Sequence, residues 1–171
     1  MTRSLLLLAC LVTFSITTTL AADPATAIGK RAITFTLEDQ YQQEWAWDKH
    51  WRGKPTIVMM TDRSGKDYLQ NWIKPLVDSL NDKVRFASFA DVSTVPGFLK
   101  GFIRSKFREA FTWSILMDWD GVVMEHYLAR PDVPNVLFVD ATGTVRLHTW
   151  GQGTGSSVKT FIDQVKRQLQ P

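Results

Sequence analysis

The sequence predicts an α/β domain in which a central mixed β-sheet is flanked by helices. Three observations predict it. Thr56-Ile57-Val58-Met59-Met60 is apolar on both faces, as a strand covered on either side must be. A helical stripe follows it at Tyr68, Leu69, Trp72, Ile73, Leu76, Val77 and Leu80. Further on, Asp140-Ala141-Thr142-Gly143 reads as a hairpin turn between two strand-like runs.

The remaining elements fall into place in chain order. Ile33-Thr34-Phe35-Thr36-Leu37 alternates as a strand does. The polar stretch Glu38 to Glu44 turns back into a short strand, Trp45-Ala46-Trp47, which gives an N-terminal β-hairpin extension. Asp48 to Trp51 is a turn, and Gly53-Lys54-Pro55 leads into the central strand. Ser64 opens the striped helix, with Asp67 three residues on in the manner of a capping box. Pro75 inside that helix is expected to kink it. Val84 to Ala90 is the next buried strand, and Val95-Pro96-Gly97 opens a second helix that runs to about Phe111. A short strand at Ser114 to Asp118 and a short helix from Asp120-Gly121 to Tyr127 come next. Strands Asn135 to Val139 and Thr144 to Trp150 flank the hairpin, and an amphipathic helix, Ser157 to Leu169, closes the chain. No repeat or linker interrupts this, so residues 23–171 are read as one domain.

The first 22 residues read as a secretory signal peptide. Arg3 supplies the charged start, Ser4 to Ile16 the apolar core, and small residues precede a cut after Ala21 or Ala22. The apolar core is too short to span a bilayer. The expectation is a periplasmic or secreted protein with no transmembrane span after cleavage. The chain's one cysteine, Cys10, lies within this leader. Leu7-Leu8-Ala9-Cys10 could alternatively serve as a lipoprotein box, but cutting there would leave the apolar run Leu11 to Leu20 on the product. A domain that begins at residue 23 has no thiol. It therefore has no thiol-disulfide exchange and no cysteine-based peroxide reduction of its own, because both need a sulfur on the enzyme.

With 44% hydrophobic and 22% charged residues the composition is that of a globular protein. The formal charge of +3 becomes +2 when Arg3 is removed (3 − 1), which gives no reason to expect a nucleic-acid partner. Without disulfides, stability must come from packing, for which seven Trp and ten Phe are the obvious material.

A strand, a long helix, a strand, a helix, then Val-Pro, a hairpin and a closing helix is the order of the thioredoxin-like fold. Particular residues agree. Gly53-Lys54-Pro55-Thr56-Ile57-Val58 resembles the entry to the central strand of redoxins, the AhpC/TSA-like proteins, and Phe35-Thr36-Leu37-Glu38-Asp39 resembles their preceding hairpin. Val133-Pro134-Asn135-Val136-Leu137-Phe138-Val139-Asp140 is similar to the family's cis-proline segment. The likeness covers about residues 33 to 169. Arg63-Ser64, the loop from Ala90-Asp91-Val92 to Pro96-Gly97, and Asp120-Gly121-Val122-Val123 look closest to the YtfJ family of cysteine-poor periplasmic proteins. The resemblance implies that Pro134 is cis and that the Val133 backbone lies beside the start of the Ser64 helix. Redoxins carry their attacking thiolate at that helix start. This loop reads Thr61-Asp62-Arg63-Ser64-Gly65-Lys66-Asp67-Tyr68 and has no sulfur.

The resemblance thus implies a non-catalytic module that binds an envelope protein or a peptide segment on the face where redoxins hold substrate. The candidate residues are Arg63, Ser64, Gly65, Lys66, Tyr68, Val133 and Pro134, with Phe98 and Phe102 adding apolar contact. Two alternatives stand beside it. One is a redoxin-class oxidoreductase or antioxidant-related protein that works through a cofactor or a partner's thiols. The other is a small-anion binder at the Ser64 helix start, where free N–H groups and two cations converge. Lys100, Arg104 and Arg108 recur every fourth residue and form a basic stripe, read as the solvated outer face of a packed helix.

Other motifs lead to structure rather than chemistry. Gly151-Gln152-Gly153-Thr154-Gly155 lacks the dinucleotide spacing and reads as a strand-to-helix connection. His50, His126 and His148 are scattered, and Asp118 and Asp120 lack the downstream Glu of a calcium loop, so neither metal nor cofactor is expected. The Trp residues read as core and hairpin packing.

Overall fold

The computed structural model describes residues 25–170, so the predicted leader and its Cys10 lie outside the described residues. An antiparallel pair, β1 (Thr36–Glu38) and β2 (Glu44–Ala46), leads into a helical turn, α1 (Trp47–His50). The central strand β3 (Thr56–Thr61) follows. A 3-10 turn (Gly65–Tyr68) then runs directly into α2 (Leu69–Leu80). After β4 (Arg85–Asp91), a 3-10 turn (Gly97–Leu99) enters α3 (Lys100–Ala110). The chain continues through β5 (Leu116–Asp118), α4 (Val122–His126), β6 (Asn135–Val139), β7 (Val145–Trp150) and α5 (Gly155–Gln168). The five-stranded sheet has the order β5-β4-β3-β6-β7; β3, β4 and β5 are parallel, and β6 and β7 join antiparallel. This is the thioredoxin-like fold with an N-terminal hairpin, as the sequence predicts.

Strand alternation divides the core between the two sheet faces. Val58 and Met60 point toward Phe35, Trp47, Trp51, Val123 and Tyr127, while Ile57 and Met59 point toward Trp72, Leu76 and Leu80 of α2 and toward Phe161 and Val165 of α5. All six residues of β3 are consequently buried. A third cluster, Ala90, Val92, Ile115 and Met117, receives Ile103 and Phe107 of α3. Among the described residues no helix is long and apolar enough to cross a membrane.

Two strands are shorter than their sequence patterns, each because a side chain takes the backbone group that a strand neighbour would need. The N–H of Ile33 donates to the Tyr127 hydroxyl (3.2 Å), and pairing begins only at Thr36. The buried Gln40 accepts the N–H of Ile115 (2.7 Å) and donates to the carbonyl of Trp113 (2.7 Å), so β5 begins at Leu116 rather than Ser114. The glycine-rich connection after β7 is fixed to α2: Trp72 Nε1 donates to the Gly151 carbonyl (2.8 Å) and Asn71 to that of Gln152 (2.8 Å). α2 runs on through Pro75.

Candidate functional site

The surface singled out by the sequence forms where β3 ends. Asp62, the first residue after that strand, divides its carboxylate between two segments. Oδ1 accepts the N–H of Gly65 (2.9 Å), and Oδ2 accepts the N–H of Asp132 (2.8 Å). One side chain therefore caps the helix and moors the loop that carries Val133 and Pro134. The Ser64 side chain makes no capping bond. The expected Ser64–Asp67 capping box is absent because the Ser64 backbone is already helical (φ −75°, ψ −36°) rather than extended as an N-cap must be, and Asp67 pairs instead with Lys66 at 2.8 Å on the exposed side.

Gly65 is buried with its α-carbon against the neighbouring loop. A Cβ added there would stand 2.2 Å from Thr61 Oγ1, 2.8 Å from the Val133 carbonyl carbon and 2.9 Å from the Val133 Cα. The Val133 backbone thus lies beside the helix start, as the redoxin resemblance implies. The cis peptide does not accompany it, because among the described residues every peptide bond is trans. The reversal is made elsewhere in the loop. Asp132 adopts φ 64°, while the buried Asn135 accepts the Arg130 N–H (2.7 Å) and donates to the carbonyls of Arg130 (2.8 Å) and Val133 (3.0 Å). These bonds close the turn with Pro134 in the isomer that X-Pro bonds favour.

Arg63, Ser64 and Lys66 are exposed on this surface, Tyr68 and Val133 are half-buried, and Pro134 is buried beneath them. Phe98 is 86% exposed and Phe102 58%, one helical turn apart on the outward face at the start of α3. Lys106 lies over the Phe102 ring at 5.7 Å.

Of the basic stripe, Lys100 and Arg108 are exposed as the solvated-face reading expects, and Arg104 departs from it. The Arg104 side chain is only 12% exposed, pairs with Glu38 at 2.6 Å and donates to the Asp39 carbonyl at 2.5 Å. Arg108 donates to the Gln40 carbonyl (2.8 Å), and Lys100 lies over the Trp119 ring at 4.9 Å. The polar turn between β1 and β2 presents carbonyls toward α3, and two of the cations turn to meet them. Arg104 and Arg108 staple the hairpin to α3.

Two buried acids, Asp39 and Asp118, are structural hubs. Asp39 accepts from the N–H groups of Tyr41 (2.8 Å) and Gln43 (3.0 Å) and from Trp45 Nε1 (3.0 Å). Burial pushes its carboxyl up, but these bonds and one from Ser114 outweigh that and leave it below the usual range. Asp118 accepts the N–H groups of Val122 (3.1 Å), Val123 (2.9 Å) and Met124 (3.3 Å) at the start of α4. Burial raises its pKa, and nearby Asp91 adds to the rise. Asp118 is thus a helix cap. Among the described residues no cluster of three His, Cys, Asp or Glu could hold a metal.

The class these features define is the thioredoxin-like fold, here with a helix start after the central strand, Ser64-Gly65-Lys66-Asp67, that contains no sulfur. Similar solved structures include thiol-disulfide proteins. A candidate thiol:disulfide interchange protein DsbE from Chlorobium tepidum superposes with TM-score 0.63 at 15% identity, covering 85% of this chain and 100% of that one. A candidate protein disulfide isomerase from Bacteroides thetaiotaomicron gives TM-score 0.62 at 17% identity, over 84% of this chain and 91% of that one. The exposed lipoprotein thioredoxin Etrx1 of Streptococcus pneumoniae gives 0.59 at 13%, over 77% and 99%. No family model matches the chain, and no curated protein matches it. At these identities the likeness establishes the fold.

Proposed function

We propose that this is an exported, periplasmic or secreted recognition module of the thioredoxin-like fold, of the cysteine-poor YtfJ type, that binds without turnover. Its partner is an envelope protein or a peptide segment of one. The observation that carries the reading is the Gly65–Val133 contact. The helix start and the Val133–Pro134 loop stay joined in a chain whose loop there, Thr61 to Tyr68, contains no sulfur. Val133 offers backbone, Arg63 and Lys66 offer positive charge, and Phe98 and Phe102 offer aromatic surface of the kind that anchors interfaces. A free anion is the weaker occupant, because the Asp62 carboxylate already holds the Gly65 N–H.

Photocrosslinking from Tyr68 and, separately, Phe98 in the native cell envelope tests this. The expected result is one recurrent protein, captured from either position and lost in the Arg63→Glu, Lys66→Glu double variant. No capture from folded, exported protein, or capture that is indifferent to the double variant, overturns it. Peroxide or disulfide turnover by the purified cysteine-free domain would replace it with the oxidoreductase alternative.

A further inference from the structure

We propose a second binding site, for an uncharged small molecule bearing an aromatic ring, in a cavity of about 530 Å³ at the open half of β4. The cavity exists because β5 pairs only with Phe89–Asp91, so the first part of β4, Arg85–Ser88, has no strand beside it on that edge. Three indoles, Trp45, Trp51 and Trp113, line the space together with Ile73 and Val77 from α2 and Phe86 from β4. It shares no residue with the Gly65 face and stands independently of the reading given for that face.

The walls are set before any ligand arrives. Trp51 Nε1 donates to the Phe86 carbonyl (2.9 Å), Trp45 Nε1 donates to Asp39 (3.0 Å), and the two rings lie 5.7 Å apart. Preorganised walls spare a ligand the cost of ordering them. The volume lies in the range of small-molecule sites, and the lining is mostly apolar with a few polar groups, as such sites are. Ser88 and Ser114 are the small polar residues of the lining.

Charge decides the ligand class. Among the described residues the only ionic side chains in the lining are Lys74 and Asp78, which neutralise each other at 2.6 Å, so this lining offers no net charge to an ionised ligand. The same edge is a poor dock for an extended peptide, because the Trp51 indole already occupies the Phe86 carbonyl that an added strand would need.

The test titrates N-phenyl-1-naphthylamine, a neutral ring compound with one N–H, into the folded protein and reads probe emission together with tryptophan quenching. Saturable one-to-one binding is expected. Affinity should fall at least tenfold for 8-anilinonaphthalene-1-sulfonate, which adds a fixed negative charge. Val77→Phe, which fills the cavity, should weaken the neutral probe at least tenfold at an unchanged melting temperature. If that variant does not fold, Trp113→Ala, which removes an outer wall, should weaken it at least threefold. Arg63→Glu with Lys66→Glu should leave the affinity as it was. Non-saturable binding, equal affinity for the sulfonate, or indifference to whichever cavity variant folds overturns the assignment.

Discussion

Gly65 and Val133 meet backbone to backbone: a single methyl group on Gly65 would lie 2.8 Å from the Val133 carbonyl carbon. Neither the helix nor the loop can retreat freely, because Asp62 holds both.

Gly65→Ala is therefore expected to destabilise the fold by about 1–3 kcal/mol, the usual cost of overpacking. Gly101→Ala, inside α3 where a Cβ meets nothing, is the control and should stabilise slightly through helix propensity. Urea unfolding of both variants checks the contrast. Equal stabilities would mean that the two segments are not pressed together.

Arg104 and Lys100 sit one turn apart, yet their removal should differ sharply. Arg104→Ala leaves the Glu38 carboxylate and the Asp39 carbonyl without their donor and should cost about 2–3 kcal/mol. Lys100→Ala, which gives up an exposed contact with an indole face, should cost under about 1 kcal/mol. Thermal unfolding at low and high salt discriminates between them, with the Arg104 effect surviving 0.5 M salt.

Asp39→Ala should be more damaging still, because it orphans the N–H groups of Tyr41 and Gln43 and the indole of Trp45 together. A loss of about 2–4 kcal/mol is expected. It should be accompanied by a changed near-UV circular dichroism signal as Trp45 loses its fixed orientation.

His148 supplies a pH dependence. Its Nδ1 accepts the N–H of Ala27 (3.1 Å), which requires a neutral ring, and burial together with nearby Arg130 lowers its pKa to about 4. The folded state therefore binds the proton less readily than the unfolded chain does. The stabilisation is complete above the ordinary histidine pKa of about 6.5 and is lost as pH falls from there toward about 4. In His148→Asn, where an amide oxygen can take over as acceptor, the melting temperature should fall less steeply across that interval. Parallel curves would assign the acid sensitivity to other groups.

The sequence revealed the elements whose physics is local and periodic. β3 was legible because both of its faces are buried, α2 and α5 because their apolar stripes repeat at helical spacing, and the β6–β7 turn from Asp140 to Gly143. What it hid was long-range polar pairing. Arg104 and Arg108 are indistinguishable from solvated cations until the carbonyls of Asp39 and Gln40, more than 60 residues earlier, are brought against α3. The buried Gln40 that delays the start of β5 to Leu116 looks like any loop residue. At the candidate site Ser64 and Asp62 are both good capping types, and only the position of Asp132 shows why Asp62 prevails. Trans Pro134 reflects hydrogen bonds centred on Asn135 that no linear motif encodes.

The Arg130 side chain donates to the Ala25 carbonyl (3.1 Å) and lies over the Trp150 ring at 5.0 Å, while Ala27 is tied to His148. The described chain thus begins beside the same loop that presents Val133 and Pro134. An affinity tag or fluorescent reporter attached directly at Ala25 would be joined next to the loop of the proposed docking face. A handle for purification or imaging belongs at the other terminus.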